Sequence, residues 1–213
     1  MQKATSTSAD KLLFSQMLAH EVSSFTPVFE QNLSQYMNSR SLQVQIGKQL
    51  TESGKTARLY LSHFIQVLNM SILRGEIKAD ARKQLGLEEY GSSLPDLSGD
   101  QQFIEIAQMV ITGEERRTGN RIYNPSIANV KVKFEQFMEV YRKHKDILQT
   151  IVKHQARFIE SREKADKLIV ALWNEIEASL APIDSDDKRA IAADYGVVYF
   201  YRPIERHKDF LKM

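Results

Sequence analysis

The stretch between Pro125 and Pro182 constrains the fold most, because it contains neither glycine nor proline. Apolar residues recur along it at intervals of three and four, which is the pattern of one face of a long helix. The face consists of Val130, Phe134, Phe137, Tyr141, Leu148, Ile151, Phe158, Ala165, Ile169, Leu172 and Ile176, and polar residues interrupt it at His144, Gln155 and Arg162. One continuous helix here would be about 80 Å long at 1.5 Å per residue.

The alternative to one helix is a hairpin that turns in the polar stretch from Glu160 to Asp166. That stretch contains no turn-forming residue, so the sequence favours a continuous helix.

The rest of the chain is also predicted to be mainly helical. Nine glycines and five prolines among 213 residues are fewer than average usage gives, which indicates a small number of long elements. The apolar spacing predicts a first helix that includes Pro27, a turn at Asn38 to Ser41, and a second helix antiparallel to the first. We therefore predict an all-α, antiparallel helical bundle with long coiled-coil-like helices, formed by one domain over residues 1–213.

The tetrapeptide Ser53-Gly54-Lys55-Thr56 matches the end of a phosphate-binding loop. The complete motif needs a second glycine at position 49, where this chain has Gln49, and it needs a preceding buried strand. Apolar residues on both sides of the tetrapeptide recur instead with helical spacing. We therefore predict that it lies within a helix, where Ser53 and Gly54 allow another helix to approach closely.

Residues Ala57 to Leu73 are apolar on nearly every side of a helix, which predicts a central, largely buried element. His63, Gln66 and Asn69 lie within it and form a candidate buried polar cluster. The alternative is that each of the three is satisfied by a neighbouring helix, or by solvent along a narrow exposed strip. The sequence favours this alternative, because no further ligand-type residue lies nearby.

An irregular segment is predicted at about residues 75–100, with a short helix that ends at Gly86. Ser98 followed by Gln101 matches a capping box and predicts the start of the next helix. Asn124 followed by Pro125 predicts the start of the long helix, with the asparagine as its cap.

The C-terminal region, about residues 183–203, is predicted to form a short helix followed by a strand. The segment Val197 to Tyr201, VVYFY, is strongly β-prone, and both of its faces are apolar or aromatic. Its backbone groups need partners, so we predict pairing with Arg121–Tyr123 or with a second copy of the chain. Val198, Tyr199 and Phe200 are the candidate partner-binding residues.

Four segments resemble a family of uncharacterised, all-helical bacterial proteins: ARLYLSHFIQVLNMSILRGEI, NPSIANV, LWNEIE and YGVVYFYRP. The resemblance extends from about Ala57 to Pro203. It implies a helical fold and a bacterial source, and it supplies no activity and no site residues.

No catalytic, metal or cofactor motif is found. The chain has no cysteine, which excludes disulfides and thiol chemistry. No Glu-x-x-His pair occurs, and His20-Glu21 lacks the second histidine of a zinc motif because position 24 is Ser24. No apolar run is long enough for a membrane span, and the N-terminus lacks the apolar region of a signal peptide. We therefore expect a cytoplasmic protein that has no metal or cofactor and does not enter a membrane.

Charge gives little support to nucleic-acid binding. The net charge is +2, and from Lys131 to Lys167 ten basic residues are mixed with six acidic ones around the helix, as on an ordinary solvated face. The function that the sequence favours is a non-enzymatic helical interaction or scaffold protein that contacts a protein partner or a second copy of itself. The alternatives are a nucleic-acid-binding helical protein and an enzyme whose residues are scattered over several helices.

Overall fold

The computed structural model describes residues 12–199, and in this range the protein is all-α, with no strand. Two of the helices are much longer than the others. The elements are α1 (Gln16–Leu73), α2 (Ala81–Gln84), a 3-10 turn (Glu88–Tyr90), α3 (Asp100–Arg116), α4 (Ile127–Ser179) and α5 (Ser185–Asp194).

Helix α4 is continuous, which confirms the prediction of one helix rather than a hairpin. It begins two residues later than expected. Ser126, not Asn124, provides the cap: its hydroxyl accepts the N–H of Asn129 at 3.3 Å, and its carbonyl accepts the N–H of Val130 at 3.1 Å. The start of α3 also differs, because Ser98 bonds to the carboxylate of Asp96 through its N–H and hydroxyl. The predicted capping box of Ser98 and Gln101 is therefore wrong.

Helix α1 is also continuous, so the predicted turn at Asn38 to Ser41 is wrong. Asparagine and serine weaken a helix by well under 1 kcal/mol each, and α1 continues even through Pro27, Gly47 and Gly54. The hydroxyl of Ser39 is buried and donates to the carbonyl of Tyr36 at 2.8 Å. The polar side chains are thus satisfied inside the helix, and packing along its length decides against a turn.

The chain divides into two compact units, and the sequence-based description as one domain does not anticipate this division. Unit 1 contains the residues up to Ser39 and those from Ile151 onward, and unit 2 contains Arg40–Thr150. Helices α1 and α4 each contribute to both units.

In unit 1, α1 and α4 run antiparallel, because contacts pair early residues of one with late residues of the other. Ser15 donates its N–H to Glu175 at 2.6 Å, and farther along the helices Asn32 donates its side-chain amide to the hydroxyl of Ser161 at 2.6 Å. Buried apolar residues line this junction and continue into the C-terminal segment: Phe14, Leu18, Val22, Phe25, Ala165, Leu168, Leu172, Ile176, Leu180, Ala192 and Val197.

In the middle of α4, Ile151, Phe158 and Ala165 lie on the inward face as predicted, but the positions between them are shifted by one residue. Leu148, Gln155 and Arg162 are exposed, and the residues that point inward are Ile147, His154 and Ser161. Positions 147 and 148 are both apolar, so the sequence pattern does not distinguish them. Steps of seven residues from the inward Ile147 reach His154 and Ser161. The backbone carbonyl of Gln35 bonds to the ring of His154, and the side-chain amide of Asn32 donates to the hydroxyl of Ser161.

Unit 2 has its own core, formed by α1, α3 and α4. The ring of Phe103 on α3 packs edge-on against Phe137 and Phe134 of α4, with centroids 5.1 and 5.9 Å apart. Helix α3 also lies close to the end of α2, because a Cβ atom on Gly113 would be only 2.7 Å from the Cα of Leu85. The core comprises Ala57, Leu61, Phe64, Ile65, Leu68, Ile77, Ala81, Leu85, Leu87, Leu97, Phe103, Ile104, Ile106, Ala107, Val110, Ile111, Ile122, Val130, Phe134 and Phe137.

The C-terminal β-segment is not confirmed. Val197, Val198 and Tyr199 are irregular, and Phe200 and Tyr201 lie outside the described residues. Tyr123, the proposed pairing partner, forms an isolated bridge with Ser126 three residues away.

Candidate functional site

The tetrapeptide Ser53-Gly54-Lys55-Thr56 lies inside α1, as predicted. The Ser53 and Thr56 hydroxyls donate to carbonyls of the preceding turn at 3.2 and 3.0 Å. The Lys55 amine lies 3.7 Å from Glu52, and both side chains are exposed. A Cβ atom on Gly54 would lie 3.5 Å from the ring of Phe137 on α4, which is ordinary van der Waals contact, and its nearest neighbour would be the guanidinium of Arg58 on the same helix. The packing of α4 against α1 at this point therefore does not require the glycine. The backbone N–H groups that would hold a phosphate are used within the helix.

His63, Gln66 and Asn69 do not form a buried cluster. His63 and Gln66 are exposed and Asn69 is half-buried, because their side of α1 faces solvent while Phe64, Ile65 and Leu68 face the core. This corrects the buried-cluster interpretation. The structure nevertheless brings Gln66 and Asn69 together at one cavity, as described next.

Arg82, on the short helix α2, connects three segments of unit 2. Its Nη1 donates to the side-chain oxygen of Asn69, and its Nη2 lies 3.3 Å from the carbonyl of Leu87 and 3.2 Å from that of Ser93. Asn69 in turn donates its amide to the carbonyl of Ser92 at 3.1 Å. The sequence offers no signal for this arrangement, because Arg82 and Asn69 meet only through the packing of α2 against α1.

A cavity of about 570 Å³ lies beside Arg82, and we call it the Arg82 cavity. It is lined by Gln66, Asn69, Met70, Ile72, Leu73, Arg82 and Ser92. Two of the apolar lining residues are largely exposed, Met70 by 55% and Leu73 by 80%. None of the seven lining residues carries a carboxylate or an imidazole, so the lining supplies no ordinary general acid or base.

A second, polar cavity of about 480 Å³ lies between α2 and the loop that follows α3. Arg117 lines it, and this arginine makes a buried, two-pronged ion pair with Glu114. The same guanidinium donates to the carbonyl of Asn120 at 2.6 Å, and Arg121 also bonds to Glu114. These contacts join the end of α3 to the following loop, so the charge of Arg117 is already paired within the fold.

The third candidate surface lies in unit 1 at the C-terminal end of α4. Val170 and Trp173 are 54% and 44% exposed, and residues three and four apart share one face of a helix. Glu177, one turn beyond Trp173, accepts a hydrogen bond from the Tyr199 hydroxyl at 2.8 Å. Val198 is 64% exposed. We call Val170, Trp173, Val198 and Tyr199 the Trp173 face.

The Trp173 face includes two of the three residues predicted to bind a partner. Val197, beside them, is buried in the unit 1 core, and Tyr199 packs partly against it. Val198 points outward, so the segment is attached to its unit and still presents an apolar side chain. The third predicted residue, Phe200, lies outside the described residues. The sequence does not single out Val170 and Trp173 as surface residues. Their exposure follows from helical spacing only after the inward face of α4 is known.

Among residues 12–199, no group of three or more histidine and acidic side chains is arranged to hold a metal ion. No helix in the same range is long and apolar enough to cross a membrane.

Comparison of the chain with protein families, with curated proteins and with solved structures finds no significant match.

Proposed function

We propose that this chain is a non-enzymatic helical interaction protein, and that it makes its protein–protein contact through the Trp173 face. The observation that carries the proposal is that exposed Val170 and Trp173 share one helix face with Glu177, to which the half-buried Tyr199 donates a hydrogen bond. Tryptophan and tyrosine are the residues that most often dominate the binding energy of protein interfaces. Single exposed apolar residues need no explanation, but a group with aromatic members indicates a contact surface.

The charges around this face fit a second copy of the same chain. Lys167 is three residues before Val170, and Glu177 is four residues after Trp173. In an antiparallel pair of α4 helices, placing Val170 of one copy against Trp173 of the other brings each Lys167 close to Glu177 of the other copy, beside Asp166, which approaches the same Glu177. Neither side chain has an ion-pair partner among residues 12–199, and the Glu177 carboxylate accepts only the neutral Tyr199 hydroxyl there.

A two-fold symmetric pairing of this kind uses the same patch on both chains, which is the commonest arrangement of protein dimers. The β-segment pairing expected from the sequence is not needed for it, because the contact is made by helix faces and by the outward side chain of Val198. A cytoplasmic location in a bacterium is part of the proposal. It is supported by the absence of cysteine and by the family resemblance of the segments quoted above.

Trp173 is the only tryptophan of the chain, so its fluorescence reports on the proposed contact directly. We expect its emission to move to shorter wavelength as the protein concentration is raised, because the indole leaves water when two chains associate. Val170→Glu should abolish this shift. Val152→Glu, at a 67% exposed position on the same helix, should leave it unchanged and serves as the control. An emission spectrum that does not depend on concentration would argue against the second copy as the partner.

A further inference from the structure

Arg82 carries a positive charge that no acidic side chain among residues 12–199 neutralises. Its acceptors are the Asn69 side-chain oxygen and two backbone carbonyls, all of them neutral. The described residues provide no ion pair for it, and its Nε is buried without any hydrogen-bond partner. Arginine stays protonated in proteins, and a partly desolvated cation without a counter-charge is unfavourable. An anion that enters the cavity would supply the missing charge.

The guanidinium is also held in a fixed orientation. The three hydrogen bonds of Arg82 to Asn69, Leu87 and Ser93 use one N–H of Nη1 and both of Nη2. One N–H of Nη1 is therefore left without an acceptor. The exposed amide of Gln66 lines the same cavity and has no hydrogen-bond partner among the described residues. Both donors belong to residues that line one cavity, and a carboxylate offers an acceptor oxygen to each.

The other side of the cavity is apolar. Met70, Ile72 and Leu73 line it, at the C-terminal end of α1. Methionine adapts its shape to different apolar ligands because it is unbranched and polarisable. Apolar walls with a few fixed polar groups are typical of small-molecule sites, and the volume of 570 Å³ lies within their usual range of roughly 300–1,000 Å³.

We propose that the Arg82 cavity binds a small amphiphilic carboxylate, such as a medium-chain fatty acid. The carboxylate is bound by Arg82 and Gln66, and the apolar chain lies against Met70, Ile72 and Leu73. A small molecule fits better than a peptide segment, because the cavity is of single-ligand size and all of its lining residues belong to unit 2. The inference is independent of the proposed protein–protein contact, which uses residues of unit 1.

The charge of the ligand provides the first test. Octanoate, 1-octanol and octylammonium share the same alkyl chain and differ in their head group, and their binding to the full chain can be compared by titration calorimetry. We expect octanoate to bind about tenfold more tightly than 1-octanol, which corresponds to about 1.4 kcal/mol, and octylammonium to bind most weakly. Equal binding of octanoate and octanol would refute the assignment of the carboxylate to Arg82. No binding of octanoate at millimolar concentration would refute the site.

Two variants locate the binding. Arg82→Gln should reduce the affinity for octanoate to that for octanol while leaving octanol binding unchanged. Because Arg82 also connects three segments, its loss can destabilise unit 2, so circular dichroism must accompany the titration. Leu73→Ser changes an 80% exposed side chain and is expected to fold normally, and it should weaken octanoate about tenfold.

The matched control is Leu59→Ser, because Leu59 is 65% exposed on the same helix and does not line the cavity. It should bind octanoate as the unmodified chain does. Equal weakening by Leu73→Ser and Leu59→Ser, or no weakening by Leu73→Ser, would show that octanoate binds elsewhere. This comparison decides the location even if Arg82→Gln does not fold.

Discussion

The guanidinium of Arg117 makes two parallel hydrogen bonds to the carboxylate of Glu114, and both side chains are almost completely buried. The Nε–Oε2 distance is 2.6 Å and the Nη2–Oε1 distance is 2.8 Å, with side-chain exposures of 4% for Arg117 and 1% for Glu114. Removal of one charge leaves the other buried without compensation, which costs far more than the intact pair contributes.

Glu114→Gln should therefore lower the free energy of unfolding by about 3–5 kcal/mol, as for other broken buried ion pairs. Urea denaturation measures this change. The neighbouring Glu115→Gln is the control, because Glu115 pairs with Lys131 at a site where both side chains are nearly half exposed, and its loss should cost less than about 1 kcal/mol. Equal costs for the two substitutions would contradict the assignment of Glu114 to the buried network.

Substitution of alanine for two glycines inside helices should change the stability of the protein in opposite directions. Gly113→Ala places a Cβ atom 2.7 Å from the Cα of Leu85, and backbone at that distance cannot move aside without separating α3 from α2. Gly47→Ala meets nothing within 4 Å, so only helix propensity matters there. We expect Gly113→Ala to destabilise the protein by more than about 1 kcal/mol and Gly47→Ala to stabilise it by about 0.5–1 kcal/mol.

Thermal unfolding of both glycine variants tests this expectation. If Gly113→Ala raised Tm as Gly47→Ala should, the close approach of α3 to α2 would be wrong.

Leu172 tests the packing of α4 in unit 1. It is 5% exposed within the core of that unit, so Leu172→Ala should cost about 2–5 kcal/mol by loss of buried surface and creation of a cavity. Val152→Ala changes a 67% exposed position of the same helix and should cost less than about 0.5 kcal/mol. A cost below about 1 kcal/mol for Leu172→Ala in chemical denaturation would invalidate the assigned inward face.

The pattern of α4 is the part of the fold that the sequence predicts best. Its apolar spacing is long and unbroken by glycine or proline, so both its existence and its continuity follow from local rules. The choice between Ile147 and Leu148 as the inward residue does not follow, because both are apolar. That choice depends on whether His154 and Ser161, or Gln155 and Arg162, find partners on α1, and those partners are distant in sequence.

The continuity of α1 is harder to predict, because the local sequence does not decide between a turn and a helix. Asn38, Ser39 and Ser41 have weak helix propensity, and a turn and a helix at these positions differ by only a few kcal/mol in local energy. Ser39 is buried in the folded helix and its hydroxyl bonds locally to the carbonyl of Tyr36, so this polar stretch is accommodated without a turn. The Arg82 cavity does not follow from the sequence, although Gln66 and Asn69 are among its candidate polar residues, because Arg82 meets Asn69 and Ser93 only after α2 and the following loop have packed.

The attachment of the C-terminal segment should depend on pH in the alkaline range. Burial, and then the hydrogen bond to Glu177, raise the pKa of Tyr199 above its ordinary value of 10.0. Because the pKa is raised in the folded protein, the contribution to stability is complete below the ordinary value. It is lost as pH rises through the folded-state value. Stability near neutral pH should therefore not depend on the ionisation of Tyr199.

Tyr199→Phe should remove the part of the alkaline loss of stability that is caused by ionisation of the Tyr199 hydroxyl. Comparison of Tm near pH 7 and near pH 11 measures it, and Tyr123→Phe, at an 84% exposed tyrosine, is the control. An alkaline loss that is the same in the unmodified chain and in Tyr199→Phe would show that the bond to Glu177 does not stabilise the segment.

The central claim, that two copies of the chain associate through the Trp173 face, is tested most directly by a charge exchange. Lys167→Glu and Glu177→Lys should each weaken association, because each places like charges opposite one another. The double variant Lys167→Glu/Glu177→Lys should restore it, because the opposed charges are again of opposite sign; the bond of the Tyr199 hydroxyl to Glu177, which this variant also lacks, lies within one chain. Sedimentation equilibrium of the unmodified chain and the three variants measures this. The account predicts dimers for the unmodified chain and the double variant, and mainly monomers for each single variant. Monomers throughout, or a double variant no better than the single ones, would contradict it.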